Sequence, residues 1–153
     1  MAEAEFEVGK GSTGSGYPII EVLSVYDPEK GTFVPIQEAD LVRLGIRVLD
    51  RDTYFSSRKY FVTLRLDVPD GTILRYYVFY RKPPAKERYY IAENGELREV
   101  EAEIEDRVMR EHGKDSVVLR VVKIPDAGIE IPLGVLVKGP NARMFSDPFF
   151  GLK

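Results

Sequence analysis

The stretch Tyr60-Phe61-Val62-Thr63-Leu64-Arg65-Leu66-Asp67-Val68, followed by Pro69-Asp70-Gly71, decides how this chain folds. Val62, Leu64, Leu66 and Val68 alternate with Phe61, Thr63, Arg65 and Asp67, the period of a strand with one buried and one amphipathic face. Pro69-Asp70-Gly71 is a turn, and residues 72–82 alternate again, with Leu74, Tyr76, Val78 and Tyr80 on one side. The two runs predict an antiparallel hairpin. Pro83-Pro84 ends the second run, because proline donates nothing to a ladder.

Working outward, Ile19, Ile20, Val22, Leu23 and Val25 form a strand apolar on both faces, which argues for a covered position. The turn Asp27-Pro28-Glu29-Lys30-Gly31 and a short return strand over residues 32–35 come next. Residues 37–44 have helical spacing, with Gly45 placed as a C-terminal cap. Residues 88–92 read as a short strand before Glu93-Asn94-Gly95. Leu97, Val100, Ile104 and Val108 then recur at spacings of three and four, and Glu103/Arg107 and Asp106/Arg110 make i,i+4 pairs. These predict a second helix, firm over 102–112 and closed by Gly113; the alternation through residues 99–105 is a competing strand reading. Residues 116–124 and 129–138 are strands joined by Pro125-Asp126-Ala127-Gly128.

The expected fold is therefore a sheet-dominated α+β protein, a largely antiparallel sheet, barrel or sandwich with two helices and extended terminal arms. Its organisation is an N-terminal arm over 1–16, a single β-rich domain over 17–139 and an apolar C-terminal arm over 140–153. In the first arm, Glu3, Glu5 and Glu7 alternate with small or apolar residues, so one side of a strand is acidic and the other packs. Gly9 to Gly16 has the composition of a flexible tether. It does not match a phosphate-binding loop, because Lys10 precedes Gly11 and the residues after Gly16 have the pattern of a strand, not of a helix. The C-terminal arm lacks periodicity yet carries Met144, Phe145, Phe149 and Phe150 around Ser146-Asp147-Pro148, too apolar a content for a solvated tail. It must dock on its own domain or on another subunit.

The 153 residues carry 22 basic and 25 acidic groups, a net charge of -3. That total hides blocks: 2 basic and 8 acidic over 1–42, 11 and 5 over 43–90, 3 and 8 over 91–113, and 6 and 4 over 114–153. In an assembly, such alternation orients neighbours head to tail. With no cysteine, disulfides, thiolate metal sites and cysteine nucleophiles are excluded. With one histidine, His112, no chain holds a two-histidine metal site. Asparagine and glutamine occur only at Asn94, Asn141 and Gln37; this depletion, with abundant Glu and Arg, is the bias of a thermostable protein, natural or designed. No apolar run approaches the length of a membrane span, and the acidic N-terminus is unlike a signal peptide, which leaves cytoplasm or virion as the expected setting.

Enzyme chemistry finds little to work with. Serine-nucleophile, dinucleotide and zinc-protease signatures are missing, the carboxylates of 96–106 do not match a calcium loop, and His112 reads as a cation at a helix end. A hydrolytic carboxylate pair such as Asp67 and Glu87 needs no local motif and stands as the least favoured reading. Single-stranded nucleic acid is the stronger alternative partner, through Arg58, Lys59, Arg65, Arg75, Tyr76, Tyr77, Arg81, Lys82 and Tyr89, cations for phosphates interleaved with rings for bases. The favoured reading is a non-enzymatic assembly subunit of a viral particle or filament. It requires no cofactor, and it meets copies of itself or other structural subunits through arms carrying Phe6, Val8, Met144, Phe145, Phe149 and Phe150.

Overall fold

A computed structural model of the chain describes residues 1–12, 18–36, 38–56, 59–80 and 86–140. The chain divides into two compact units, Met1–Asp27 with Phe33–Val100, and Pro28–Thr32 with Glu101–Lys153. Both are built on antiparallel sheet, so the sheet-dominated α+β class expected from the sequence is the one observed.

The first unit contains β1 (Ala2–Ser12), β2 (Pro18–Asp27), β4 (Arg47–Ser56), β5 (Lys59–Val68), β6 (Ile73–Tyr80), β7 (Lys86–Glu93) and β8 (Glu96–Val100), hydrogen-bonded in the order β4-β5-β1-β2-β6-β7-β8. The short β3 (Thr32–Pro35) pairs with β2. Strand β8 lies against β1, so the sheet is rolled rather than flat. Its inner face is the core: Ala2 and Phe6 of β1, Leu23 and Val25 of β2, Leu64, Leu66 and Val68 of β5, Leu74 of β6 and Ala92 of β7. The single α-helix among the described residues, α1 (Glu38–Arg43), adds Leu41 to this core, and the chain beyond it adds Ile46. Gly45 has the positive φ of a C-terminal cap, as the sequence predicts. Arg43 in the last helical turn binds the wholly buried Asp27 through two hydrogen bonds, 3.1 and 2.5 Å, fixing the helix to the end of β2.

Three local expectations fail for non-local reasons. The hairpin expected between residues 60–68 and 72–82 does not pair, because β1 and β2 lie between β5 and β6 in the sheet. The Pro69-Asp70-Gly71 turn is real, but it delivers the chain to the other flank, where the Gly71 N–H donates to Ala92 O at 2.8 Å. The Gly-rich tether is a strand as far as Ser12: Gly9 faces Phe61 on β5 and Glu21 on β2. A Cβ at Gly9 would collide with the Tyr60 backbone carbonyl, and its φ of 149° is one that glycine tolerates. Glycine is thus selected here by close packing. Residues 13–16 of the expected tether lie outside the described set.

The third correction concerns the second unit, whose sheet has the order β11-β10-β9 from β9 (Glu103–His112), β10 (Asp115–Ile124) and β11 (Ile129–Lys138). The predicted second helix is strand β9. Spacing of three and four is matched here by a strand whose side chains are almost all solvated, so no apolar stripe discriminates between the two. Gly113, read as a helix stop, lies in the two-residue turn that pairs His112 with Asp115, and its φ of 63° suits both roles. The core of this sheet comes from Val118, Val122 and Ile124 on β10 with Ile131 and Leu136 on β11.

Candidate functional site

Strands β6 and β7 bring together the most strongly perturbed groups of the first unit. Register places Arg75 opposite Tyr89 and Tyr77 opposite Glu87, on the face away from the core cluster. Arg75 is only 3% exposed and donates from Nη2 to Glu87 Oε1 at 2.5 Å and from Nε to the Tyr89 hydroxyl at 3.1 Å. The Tyr89 hydroxyl donates to Glu87 Oε2 at 2.7 Å, and the guanidinium carbon sits 4.2 Å from the centre of the Tyr77 ring. Burial pushes both phenols up and away from ionisation, with Glu87 adding to the effect and Arg75 opposing it. Burial would lower the Arg75 pKa, but Tyr89 and Glu87 outweigh it and hold the guanidinium charged. Every group in this trio engages the others, so the arrangement fixes register.

Four of the basic and aromatic residues expected to bind nucleic acid, Arg75, Tyr76, Tyr77 and Tyr89, are engaged within the fold. Arg75, Tyr77 and Tyr89 form the buried network, and Tyr76 is half-buried with its ring 5.6 Å from that of Phe6. Arg65 is exposed, Lys59 is described only as backbone of β5, and Arg58, Arg81 and Lys82 lie outside the described residues. The carboxylates Asp67 and Glu87 are four strands apart in the sheet order, and each is held by its own arginine, Asp67 by Arg47 at 2.9 Å. His112 is exposed at the end of β9, and no cluster of metal-ligating side chains occurs among the described residues.

Of the residues assigned to the arms, Phe6 lies in the core between the rings of Tyr76 and Tyr90, and Val8 packs half-buried against the same core. The arm is an inner strand of its own sheet, which buries Phe6 and covers Val8 in part. Met144, Phe145, Phe149 and Phe150 lie outside the described residues.

What sequence reasoning missed is on β4, a strand it did not resolve. On the outermost strand among the described residues, Tyr54 and Phe55 project into solvent, Phe55 with 70% exposure, and the Phe55 ring packs against that of the exposed Tyr60 on the neighbouring β5 with centroids 4.7 Å apart. Adjacent residues on a strand point to opposite faces, so Tyr54 and Phe55 together leave both faces of the edge apolar. The run Thr53-Tyr54-Phe55 beside Tyr60-Phe61 was the available signal. Isolated exposed apolar side chains are ordinary, and what sets these apart is that three large exposed rings lie on two adjacent strands. No protein family, curated protein or solved structure matches this chain.

Proposed function

We propose that this protein is a non-enzymatic assembly subunit, a building block of a particle or filament whose copies meet at the β4 edge. The observation that carries this reading is the exposure of Tyr54 and Phe55 on the edge strand β4, with the Phe55 ring packed against Tyr60 of the adjacent β5. Backbone groups of an edge strand offer affinity to a second strand, and rings on both faces offer apolar area at small entropic cost. The blocks of opposite charge along the chain supply orientation. Analytical ultracentrifugation and negative-stain microscopy of the full chain test it: oligomers are expected at micromolar concentration, with monomers for the Tyr54→Ser/Phe55→Ser/Tyr60→Ser variant. A full chain that stays monomeric at high concentration ends the proposal.

One observation favours a second reading, single-stranded nucleic acid. The paired Phe55 and Tyr60 rings flank Arg58 and Lys59 in sequence and are exposed, as rings on which bases stack must be. Fluorescence anisotropy with a labelled oligothymidylate would show binding that weakens steeply with salt and is lost in Phe55→Ser; absent or salt-independent binding removes it.

A further inference from the structure

Strand β4 is regular over only part of its length. Its ladder with β5 slips at Leu49, between the Val48–Leu66 and Asp50–Arg65 pairs, and from Asp50 to Ser56 it keeps step without interruption. Residues 50–55 are all exposed, and β4 is outermost among the described residues. The midpoint of the uninterrupted stretch is Thr53.

We infer that two copies of this protein pair antiparallel through β4 about a two-fold axis at Thr53, so that the sheet runs unbroken from one copy into the other. This rests on the proposed meeting of copies at the β4 edge and adds its register, symmetry and size. A two-fold contact uses the same surface on both copies and closes as a dimer. Dimers, not single chains, are then the unit that a particle or filament adds.

Symmetry limits the registers. When a strand pairs antiparallel with its own copy about a two-fold axis, one residue lies opposite itself, and residues equally far to either side oppose each other. Charge then discriminates among the centres. An axis at Asp50 or Asp52 sets a carboxylate against itself, and an axis at Arg51 opposes two guanidinium groups and also sets Asp50 against Asp52. Like charges directly opposite destabilise a strand pair. An axis at Tyr54 avoids this but pairs only Asp52 to Ser56. The axis at Thr53 uses the whole uninterrupted stretch and opposes no like charges: Asp50 meets Ser56, Asp52 meets Tyr54 and Arg51 meets Phe55. Arg51 and Phe55 are both exposed, and the guanidinium of one copy against the Phe55 ring of the other is a cation–π contact that the axis makes twice. The bulge and the charges that guard this edge thus act as selectors, disfavouring the other registers and leaving one.

The chain has no cysteine, so a thiol placed on β4 reports only its own contact. In a glutathione redox buffer, Thr53→Cys should be recovered mainly as a disulfide-linked dimer, because the axis brings the two Cβ atoms to about 5 Å. Asp50→Cys and Ser56→Cys should each stay unlinked alone and cross-link when mixed. Thr53→Lys, which places two ammonium groups across the axis, should raise the dimer dissociation constant at least about tenfold in ultracentrifugation. Thr53→Val should keep it within about twofold, and circular dichroism checks that each variant folds. Oligomers that dissociate in Tyr54→Ser/Phe55→Ser/Tyr60→Ser yet give neither the Thr53→Cys disulfide nor the mixed cross-link overturn the two-fold pairing and leave the β4 contact standing. So do species larger than a dimer that depend on β4 alone. A full chain that is monomeric at every concentration overturns both, and monomers that bind oligothymidylate assign the edge to nucleic acid instead.

Discussion

Two hairpins of this molecule use the same device, arginine paired with a carboxylate across the strands, in opposite surroundings. Between β6 and β7, Arg75 and Tyr89 are buried and hold Glu87 at the margin of the site, its side chain 27% exposed. Between β9 and β10, Arg120 grips Asp106 through two bonds of 2.8 and 3.0 Å, Lys138 approaches the same carboxylate at 2.6 Å, and Arg107 and Lys123 bridge Glu105 and Glu130 in solvent. The second hairpin has more ion pairs and gains less from them, because water screens each one and long side chains lose entropy when fixed. In the first hairpin the Arg75 guanidinium was desolvated to form the pair, so what matters is the penalty for breaking it. Counting pairs would rank the two hairpins in the wrong order.

The largest expected effect therefore comes from Arg75→Ala, which removes a buried side chain and leaves the buried Tyr89 hydroxyl without its guanidinium partner, while Glu87 keeps part of its hydration. Urea denaturation should show a loss of about 2–3 kcal/mol. Replacing the trio together, as Arg75→Met/Glu87→Met/Tyr89→Phe, should recover most of that loss, since apolar side chains of similar volume need no partners. A loss below about 1 kcal/mol for Arg75→Ala would erase the contrast between the hairpins. Tyr89→Phe is the intermediate case. It removes one donor and one acceptor but leaves the Arg75–Glu87 pair, and about 1–2 kcal/mol is expected in the same measurement.

The same contrast explains which parts of the fold were legible in the sequence. Strands β2, β5, β6, β10 and β11 alternate or run apolar because at least one face is buried, and α1 ends in a glycine whose cap geometry is local. Strand β9 has no buried face to impose a period, so its charges, set for cross-strand pairing, counterfeit helical i,i+4 pairs. The neighbours of β1 were illegible for a different reason. The alternation of Ala2, Ala4, Phe6 and Val8 announces a strand, but its main partner β5 is remote in the chain, with Ala2 paired to Val68, and no local signal says that β1 and β2 separate β5 from β6. The rings at the β4 edge were visible as residues; their exposure depends on β4 being outermost, which is again a matter of strand order.

Asp106 sharpens the comparison further, because its carboxylate is the most shielded acid in the ion pairs of the β9–β10 hairpin. Hydrogen bonds from Arg120 and Lys138 hold its carboxyl down to about 2, against an ordinary 3.8. A depressed carboxylate contributes stability that is complete above its unfolded value and is lost as pH falls through the folded one. The difference between the wild-type chain and Asp106→Asn should thus be constant above about pH 5, shrink between about pH 4 and 2, and vanish below. Its plateau is expected at about 1 kcal/mol, discounted for the solvent that reaches its partners. A difference that persists at pH 2 would mean that Asp106 acts through packing rather than charge.

The smallest effect should come from Arg107, although it bonds both Glu105 and Glu130 at 2.8 and 2.9 Å. All three side chains are at least 42% exposed, so each keeps much of its hydration and loses little when a partner is removed. Its neighbour Lys123 also reaches both carboxylates, at 3.2 and 3.8 Å, and would retain part of the attraction after Arg107 is gone. Arg107→Ala should leave the urea midpoint within error of the wild type at physiological ionic strength, and any difference seen in low salt should fade as salt is raised. A salt-resistant loss comparable to that of Arg75→Ala would show that β9 is shielded by something beyond the described strands.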